Sequence, residues 1–356
     1  MATDAVRADL ATAATPGDLP YARSWIDALI GRIGRAPGST WMVYAVLIVL
    51  GVTGTHIQGW LAGTVAVGQL SLVPFIWGAL VFGVVAMVDV FSRIAGSSFD
   101  TVRPLTQLSD SEASRLRYEL TVIPARTAIV AIGLSILVSL GYYLGDPVAS
   151  GVAGLHPLTF AMRATAETFL STVLIAFIAQ TVRQLRLVSR ILDHVTRIDL
   201  FHPRPLYAFS RLTSGIAVTL IGFLAAALAG APSGQAQSLL YLAWYVGIIA
   251  FSIVVFIVPL LGLHNRFRDV KEQLQVEADE RLKGILVELN TDAARLDLGR
   301  ADGLNKTLSS LLQQRDVLAK LPTWPWSTGT FRGFVTAICL PIGLFLAQRV
   351  LSQFVR

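Results

Sequence analysis

Cysteine is almost absent from this 356-residue sequence, since Cys339 is its one thiol. A disulfide framework needs paired cysteines, and zinc or iron–sulfur centres built on several thiolates need more than one, so both are excluded. Charge is scarce as well. Asp, Glu, Lys and Arg make up 15% of the residues, whereas soluble domains carry about 25%. A soluble enzyme of two ordinary domains is therefore excluded.

Apolar residues dominate what is present. They form 54% of the chain, and the mean hydropathy is +0.61. The 29 glycines and 15 prolines are dispersed along the sequence, which excludes a collagen-like or a disordered chain. The composition predicts an all-α polytopic membrane protein, because only helices satisfy the backbone of long apolar runs in lipid.

Seven apolar segments approach the roughly 20 residues that a transmembrane helix needs. They are predicted at Trp41–Trp60, Leu70–Phe91, Val122–Leu144, Leu158–Val182, Leu212–Gly230, Leu239–Leu263 and Gly333–Val355. Gln348 and Arg349 interrupt the seventh segment, so a re-entrant or interfacial helix is its alternative.

The connections between these segments alternate in charge. Residues 61–69 and 231–238 carry no charge, and residues 145–157 carry only Asp146. The N-terminus and the intervening connections are rich in arginine. By the positive-inside rule the N-terminus is predicted to be cytoplasmic. The basic excess therefore indicates membrane orientation and not a nucleic-acid-binding surface.

The chain is predicted to divide into four parts, which are 1–40, 41–263, 264–327 and 328–356. The first is a cytoplasmic segment without a visible cleavable signal peptide. It contains an amphipathic helix at 21–33 that lies on the membrane or packs on the protein's own cytoplasmic part. The second is a six-span bundle whose fourth span extends into the cytoplasm over 183–204.

Arg183, Arg186 and Arg190 fall on one face of that extension. They are predicted to contact anionic lipid headgroups. A basic ring around a permeation path, or around a bound anionic lipid, is the alternative.

Residues 264–327 are predicted to form a cytoplasmic antiparallel coiled-coil hairpin. Apolar residues recur at helical spacing in two stripes. The first consists of Leu274, Ala278, Leu282, Ile285, Leu289, Ala293 and Leu296, and the second of Leu304, Leu308, Leu311 and Leu318. Residues 297–303, with two glycines, are predicted to break the helix between them. The apolar stripes of the hairpin are buried either by its own two arms alone or also by neighbouring subunits.

The return to the membrane is marked by Pro322, Trp324, Pro325 and Trp326. Tryptophan before a span is typical of an interfacial anchor, and proline bends the chain there. An aromatic ligand cage is the remote alternative. Pro259 and Gly262 end the apolar part of span six and are predicted to act as its hinge.

Ionisable groups at membrane depth are costly and face a partner or water. Asp89 lies four residues before Arg93, and Arg163 lies four before Glu167, so each can form an ion pair. His56, Arg163, Glu167 and Asp89 are the candidates for a pore or an outer vestibule.

Phosphate-loop, dinucleotide-binding, metalloprotease and serine-hydrolase motifs do not occur. His194 and His202 are close in sequence, but a proline-rich corner joining two helices is favoured there over a metal site. No cofactor is predicted.

We therefore expect a multi-pass protein of the cell (plasma) membrane, such as a bacterial inner membrane, that forms a homo-oligomer. An oligomeric ion channel or channel-like transport pore, gated through the hairpin, is the favoured function. A membrane-anchored signalling or scaffold protein, whose hairpin binds a cytoplasmic partner, is the alternative. A membrane-embedded lipid enzyme is a weaker one, because no recognisable nucleophile or metal cluster is present. The lack of a lysine in the last span excludes a retinal-binding rhodopsin.

Overall fold

The computed structural model describes residues 19–145, 152–195, 200, 205, 207–229, 239–294, 298–339 and 343. Over these residues the regular secondary structure is helical and no β-strand forms. Two isolated bridges join Arg23 to Pro124 and Thr106 to Val195. The all-α prediction is confirmed for the described part of the chain.

The helices follow one another with short connections. They are α1 (Trp25–Arg35), α2 (Thr40–Leu61), α3 (Leu72–Val102), α4 (Asp110–Thr121), α5 (Ala125–Gly145), α6 (Pro157–Asp193), α7 (Tyr207–Ala229), α8 (Leu239–Ala294) and α9 (Leu298–Lys320). A 3₁₀ turn, Arg103–Leu105, follows α3. Residues 328–339 and 343 are also helical.

Six helices of the described chain, namely α2, α3, α5, α6, α7 and α8, are long and apolar enough to cross a membrane. This is the composition of a multi-pass integral membrane protein in contact with lipid. Of the predicted seventh span, only residues 333–339 and 343 are described. The rest of that segment lies outside the described residues, so the seventh span stays a prediction.

The helix that contains the second span is longer than predicted. Helix α3 continues to Val102, well past the predicted end at Phe91, because Ala95, Phe99 and Val102 are fully buried and hold it as a helix. A separate helix, α4, then forms where the sequence analysis predicted none. Its start is a capping box, in which the Ser109 side chain and Glu112 bond to each other's backbone N–H groups.

Two other boundaries differ from the prediction. Helix α6 ends at Asp193, not beyond residue 200, so it extends about 16 Å past Val182 at 1.5 Å per residue. The predicted break over 297–303 is too long, because α9 already begins at Leu298. Gly299 and Gly303 therefore lie inside a helix, where each costs only about 1 kcal/mol relative to alanine.

Contacts at the two ends of the bundle show how the helices alternate in direction. At one end, which we call the basic end, Ser98 of α3 donates to the Ala208 carbonyl of α7. The Ser24 N–H donates to the Ile123 carbonyl at the same end. At the opposite end, the Thr55 hydroxyl of α2 donates to the Pro74 carbonyl of α3. Which end faces the cytoplasm stays a prediction from the charge pattern.

Helices α3 and α7 form the centre of the bundle, and α5 lies at its edge. The Phe91 ring packs so closely on Gly215 that a Cβ there would lie 2.9 Å from it. In contrast, α5 buries a narrow stripe that includes Ala128, Ala131 and Ser135 and leaves its large apolar side chains exposed. That outer surface suits lipid.

Candidate functional site

A group of long-range polar contacts lies at the basic end, where α8 leaves the bundle. Arg266 of α8 donates from Nη1 to the carbonyls of Leu192 at 2.6 Å and Val195 at 3.0 Å. Its Nη2 donates to the Asp193 carbonyl at 3.2 Å. The last carbonyls of a helix have no partner within the helix and carry partial negative charge. The guanidinium of Arg266 therefore caps the C-terminus of α6.

A second cation of α8 holds the other arm of the hairpin. Lys271 donates from Nζ to the carbonyls of Ala319 at 2.7 Å and Leu321 at 2.9 Å, at the C-terminus of α9. Further along, Arg315 pairs with Asp279 at 3.0 Å. These contacts place α8 and α9 side by side in opposite directions. We call Arg266, Lys271 and the two helix ends that they bind the junction.

Exposure along the hairpin follows the predicted stripes. Leu274, Leu282, Ile285 and Leu289 are half-buried and Ala278 is buried, whereas most residues between them are exposed. On α9, Leu318 is buried and Leu304, Leu308 and Leu311 are half-buried. The described members of both stripes are therefore less exposed than most of the residues between them, whereas Ala293 and Leu296 lie outside the residues whose burial is described. That the stripes form the contact face of the arms stays a prediction. Coiled-coil character and a cytoplasmic location stay predictions.

Aromatic rings continue the junction toward the membrane. The His264 ring stacks on Trp324 with centroids 3.9 Å apart, and Trp324 stacks on Trp326 at 4.3 Å. His264 Nδ1 donates to the Thr323 carbonyl at 3.0 Å. Trp326 stacks in turn on Phe256 at 5.1 Å. The two tryptophans thus pack on α8 and on each other, and their role as an interfacial anchor stays a prediction.

The two prolines of this segment lie outside the helices, and their role in bending the chain stays a prediction. Pro325 is buried and Pro322 exposed in the turn after α9. Phe334 then lies 4.2 Å from Phe256, between ring centroids. Pro259 lies inside α8, which continues through it, and Gly262 is exposed with no atom within 4 Å of a Cβ built there. A hinge at these two residues stays a prediction.

The N-terminal residues 19–35, which we call the strap, pack on the protein. The Ile123 N–H donates to Asp27 Oδ2 at 2.9 Å, and the Tyr21 hydroxyl donates to the Val122 carbonyl at 3.0 Å. Ile26, Ile30 and Ile33 of α1 are buried in the core. The helix therefore packs on the protein itself, and whether it also lies on the membrane stays a prediction.

Arg183 belongs to the same region. Its Nη2 lies 3.3 Å from Glu119 Oε2, and its guanidinium carbon lies 4.3 Å from the centroid of the Tyr21 ring. Burial raises the pKa of the Tyr21 hydroxyl, and the Arg183 charge offsets part of that rise. Arg186 and Arg190 are exposed on α6. The three arginines therefore differ: Arg183 is bound within the protein, while Arg186 and Arg190 are exposed, and their contact with lipid headgroups stays a prediction.

The predicted ion pairs form within the helices. Asp89 accepts from Arg93 Nη2 at 2.8 Å and from the Tyr44 hydroxyl at 3.1 Å, and it is buried. Arg163 Nε donates to Glu167 at 2.7 Å, and the Tyr143 hydroxyl donates to the same carboxylate. Each carboxylate thus has an arginine and a tyrosine as partners.

His56, the remaining vestibule candidate, lies in the α2–α3 hairpin at the opposite end. It is buried, and its ring bonds to backbone atoms of Val52 and Ser71. A cavity of about 260 Å³ is lined by His56, Leu70, Ser71, Leu72 and Phe75. The structure gives these four candidates the local partners named above, and a shared vestibule stays a prediction.

The junction was missed by sequence reasoning. Arg266 and Lys271 read as ordinary charges on a solvated helix face, because backbone carbonyl acceptors have no sequence signature. Their positions, directly after the apolar part of α8, are the one signal available. Asp27 was missed for the same reason.

Neither a metal centre nor a known relative identifies the chain. Among the described residues there is no group of three or more His, Cys, Asp or Glu side chains that could hold a metal ion. His202 lies outside the described residues, and His194 bonds to the Arg190 carbonyl of its own helix. No protein-family model, curated protein or solved structure matches this chain.

Proposed function

We propose that the chain is a subunit of an oligomeric, channel-like membrane pore that is gated through the α8–α9 hairpin. The observation that carries the proposal is the continuity of α8. One 56-residue helix contains the apolar stretch and the first arm of the hairpin. At the junction it binds the ends of both α6 and α9. A displacement of the hairpin would therefore move a membrane helix directly.

The pairing of charges within one subunit supports a permeation path that runs between subunits and not through a single subunit. Asp89 and Glu167 each accept from an arginine and a tyrosine of the same subunit. Such pairs offset the cost of charge in lipid and are poorly suited to line a wide aqueous path. Helix α8 leaves Gly247, Ala250 and Val254 exposed, which is a surface that a neighbouring subunit can approach closely.

Planar-bilayer recording of the purified protein tests the proposal. Ionic currents are expected from the wild type, and Arg266→Ala should change the open probability while leaving the unitary conductance unchanged. Arg268→Ala, a neighbouring exposed arginine on the same helix, is the matched control. Silence of correctly folded protein across voltage, membrane tension and pH would contradict a channel.

A scaffold role is the second candidate, favoured by apolar side chains that the hairpin leaves open. Val276 and Val287 are more than half exposed on α8, as is Val317 on α9. A partner protein that binds the full-length chain, and loses affinity for Val276→Asp and Val287→Asp while the lipid-embedded part stays folded, would favour this role over a pore.

A further inference from the structure

His56 has a bonding pattern that only one protonation state of its ring can satisfy. Its Nδ1 lies 2.8 Å from the Val52 carbonyl oxygen, one turn earlier in α2. A carbonyl oxygen can only accept, so Nδ1 carries a hydrogen and donates. The Ser71 N–H points at Nε2 from 3.2 Å. Since that N–H can only donate, Nε2 carries no hydrogen and accepts.

The group bound by Nε2 begins α3. Ser71 is the N-cap residue of that helix, and its own side chain makes no capping hydrogen bond. The first N–H groups of a helix have no partner within the helix. His56 therefore supplies from α2 a contact that fixes the start of α3. His56 is only 2% exposed.

We propose that His56 is a proton-sensitive latch of the α2–α3 hairpin. The neutral ring holds the Ser71 N–H, and a ring protonated at Nε2 places two N–H groups against each other and releases it. Histidine is the side chain whose charge changes between about pH 5 and 8. Acid on the side of the membrane that residues 62–71 face would thus free the start of α3 and the connection that leads to it.

Along α2 and most of α3, His56 has few ionisable neighbours in the sequence. Between Arg35 and Asp89 the sequence holds two ionisable side chains, Tyr44 and His56. Tyr44 bonds to Asp89 near the basic end. Besides α3, α2 packs against α1 and α6.

The charged side chains named here on α1 and α6 are bound to other groups or lie at the basic end. Asp27 of α1 binds the Ile123 N–H at the basic end, and Arg32 and Arg35 lie in its last turn, just before α2 begins there. On α6, Arg163 and Glu167 pair with each other. The exposed His156 accepts from the Leu158 N–H at the start of α6.

Hydrogen–deuterium exchange of peptides covering residues 66–75, in lipid nanodiscs, tests the latch without any need for channel activity. After correction for intrinsic exchange, opening at Ser71 should rise as the pH is lowered from neutral to the lowest value at which the protein stays folded. One linked proton raises the opening equilibrium by up to about tenfold per pH unit. An unchanged opening equilibrium across this interval would overturn the proposal.

Two variants of His56 sharpen the test. His56→Gln keeps an acceptor for the Ser71 N–H but cannot take up a proton, so it should remain protected at both pH values. His56→Leu removes the acceptor and should exchange rapidly at both. Should the leucine variant not fold, the comparison of wild type with His56→Gln decides alone.

His156→Asn is the matched control, because it removes the other histidine of this end and keeps a good N-cap residue. It should retain the full pH response of the wild type. A pH response that persists in His56→Gln, or disappears in His156→Asn, would show that His56 is not the responsible group.

Discussion

Arg266 Nη1 lies 2.6 Å from the carbonyl oxygen of Leu192, so a side chain of α8 caps the C-terminus of α6. The two residues are 74 positions apart in the sequence. Because Lys271, five residues further along α8, caps α9 in the same way, these two cations tie three helices together. The junction is thus the place where the hairpin and the membrane helices share contacts.

Replacing Arg266 should destabilise the junction. Hydrogen bonds from a charged donor contribute about 1.5–3 kcal/mol, and Arg266→Ala would leave the carbonyls of Leu192 and Val195 without this donor. Thermal unfolding in detergent should show a loss of that size, with faster hydrogen exchange near residues 190–195. Arg266→Lys should recover only part of it, because an ammonium lacks the planar fork. Equal stability of Arg266→Ala and the exposed-site control Arg268→Ala would disprove the capping role.

Close contact between α2 and α3 should make Gly78 intolerant of any side chain. A Cβ at Gly78 would lie 2.4 Å from Thr55 Oγ1 and 2.6 Å from the Gly51 carbonyl oxygen. Gly78→Ala must therefore push the helices apart, at a cost of about 1–3 kcal/mol. Gly83→Ala on the same helix meets nothing within 4 Å and is expected to be neutral or slightly stabilising. Unfolding transitions of the two variants would measure the contrast, and a neutral Gly78→Ala would refute the close packing.

Alkaline pH should loosen the strap through Tyr118, whose hydroxyl donates to the Tyr21 carbonyl at 3.0 Å. Burial raises the pKa of Tyr118 above its ordinary value, and hydrogen bonding to Arg23 offsets part of that rise. A raised pKa means that the stabilising contribution is complete below about pH 10, the ordinary tyrosine value, and is lost as pH rises through the folded value.

The corresponding variant is Tyr118→Phe, which should lose about 1 kcal/mol near neutral pH and show less alkaline destabilisation. Unfolding temperatures measured across this range would report both effects. Tyr142→Phe, at the opposite end of the bundle, is the control. An alkaline response of Tyr118→Phe equal to that of the wild type would exclude this tyrosine as its source.

Hydropathy and spacing predicted a large part of this architecture. Apolar length alone located the cores of six membrane helices, because lipid requires long uninterrupted helices. The spacing of four residues correctly predicted the ion pairs of Asp89 with Arg93 and of Arg163 with Glu167, because such pairs depend only on local helix geometry. The stripes of α8 and α9 likewise predicted which hairpin residues are least exposed.

Contacts that depend on the tertiary fold could not be predicted. The bonds from Arg266 to Leu192, and from the Ile123 N–H to Asp27, join segments far apart in sequence, and backbone acceptors are the same at every position. Helix α4 is different, because its capping-box pattern from Ser109 to Glu112 is readable in the sequence. That helix was missed because the search followed apolar runs, and α4 is polar.

Acid should loosen the start of α4 through that capping box. Hydrogen bonds from the Ser109 side chain and backbone lower the pKa of Glu112 below its ordinary value. A lowered pKa gives a contribution that is present above the ordinary value of about 4.3 and is lost as pH falls through the folded value. Hydrogen exchange at residues 109–113 should therefore increase in acid. Glu112→Gln keeps the capping geometry without the charge and should be insensitive to acid, whereas an unchanged acid response in this variant would exclude Glu112.

One pair of variants distinguishes the face of the hairpin that joins its two arms from the face that is exposed. Leu282 is half-buried in the first stripe, whereas Val287 is 59% exposed. A carboxylate at position 282 would lie against α9 without a partner, so Leu282→Asp should destabilise the hairpin by about 1–3 kcal/mol. Val287→Asp should leave the hairpin folded, because its carboxylate stays in water. Limited proteolysis of both variants would measure arm separation, with faster cleavage expected for Leu282→Asp alone.

Equal cleavage of the two variants would refute the assignment of the stripe as the contact face. If Val287→Asp instead dissociated an oligomer while its hairpin stayed resistant to cleavage, the open face would be a subunit contact.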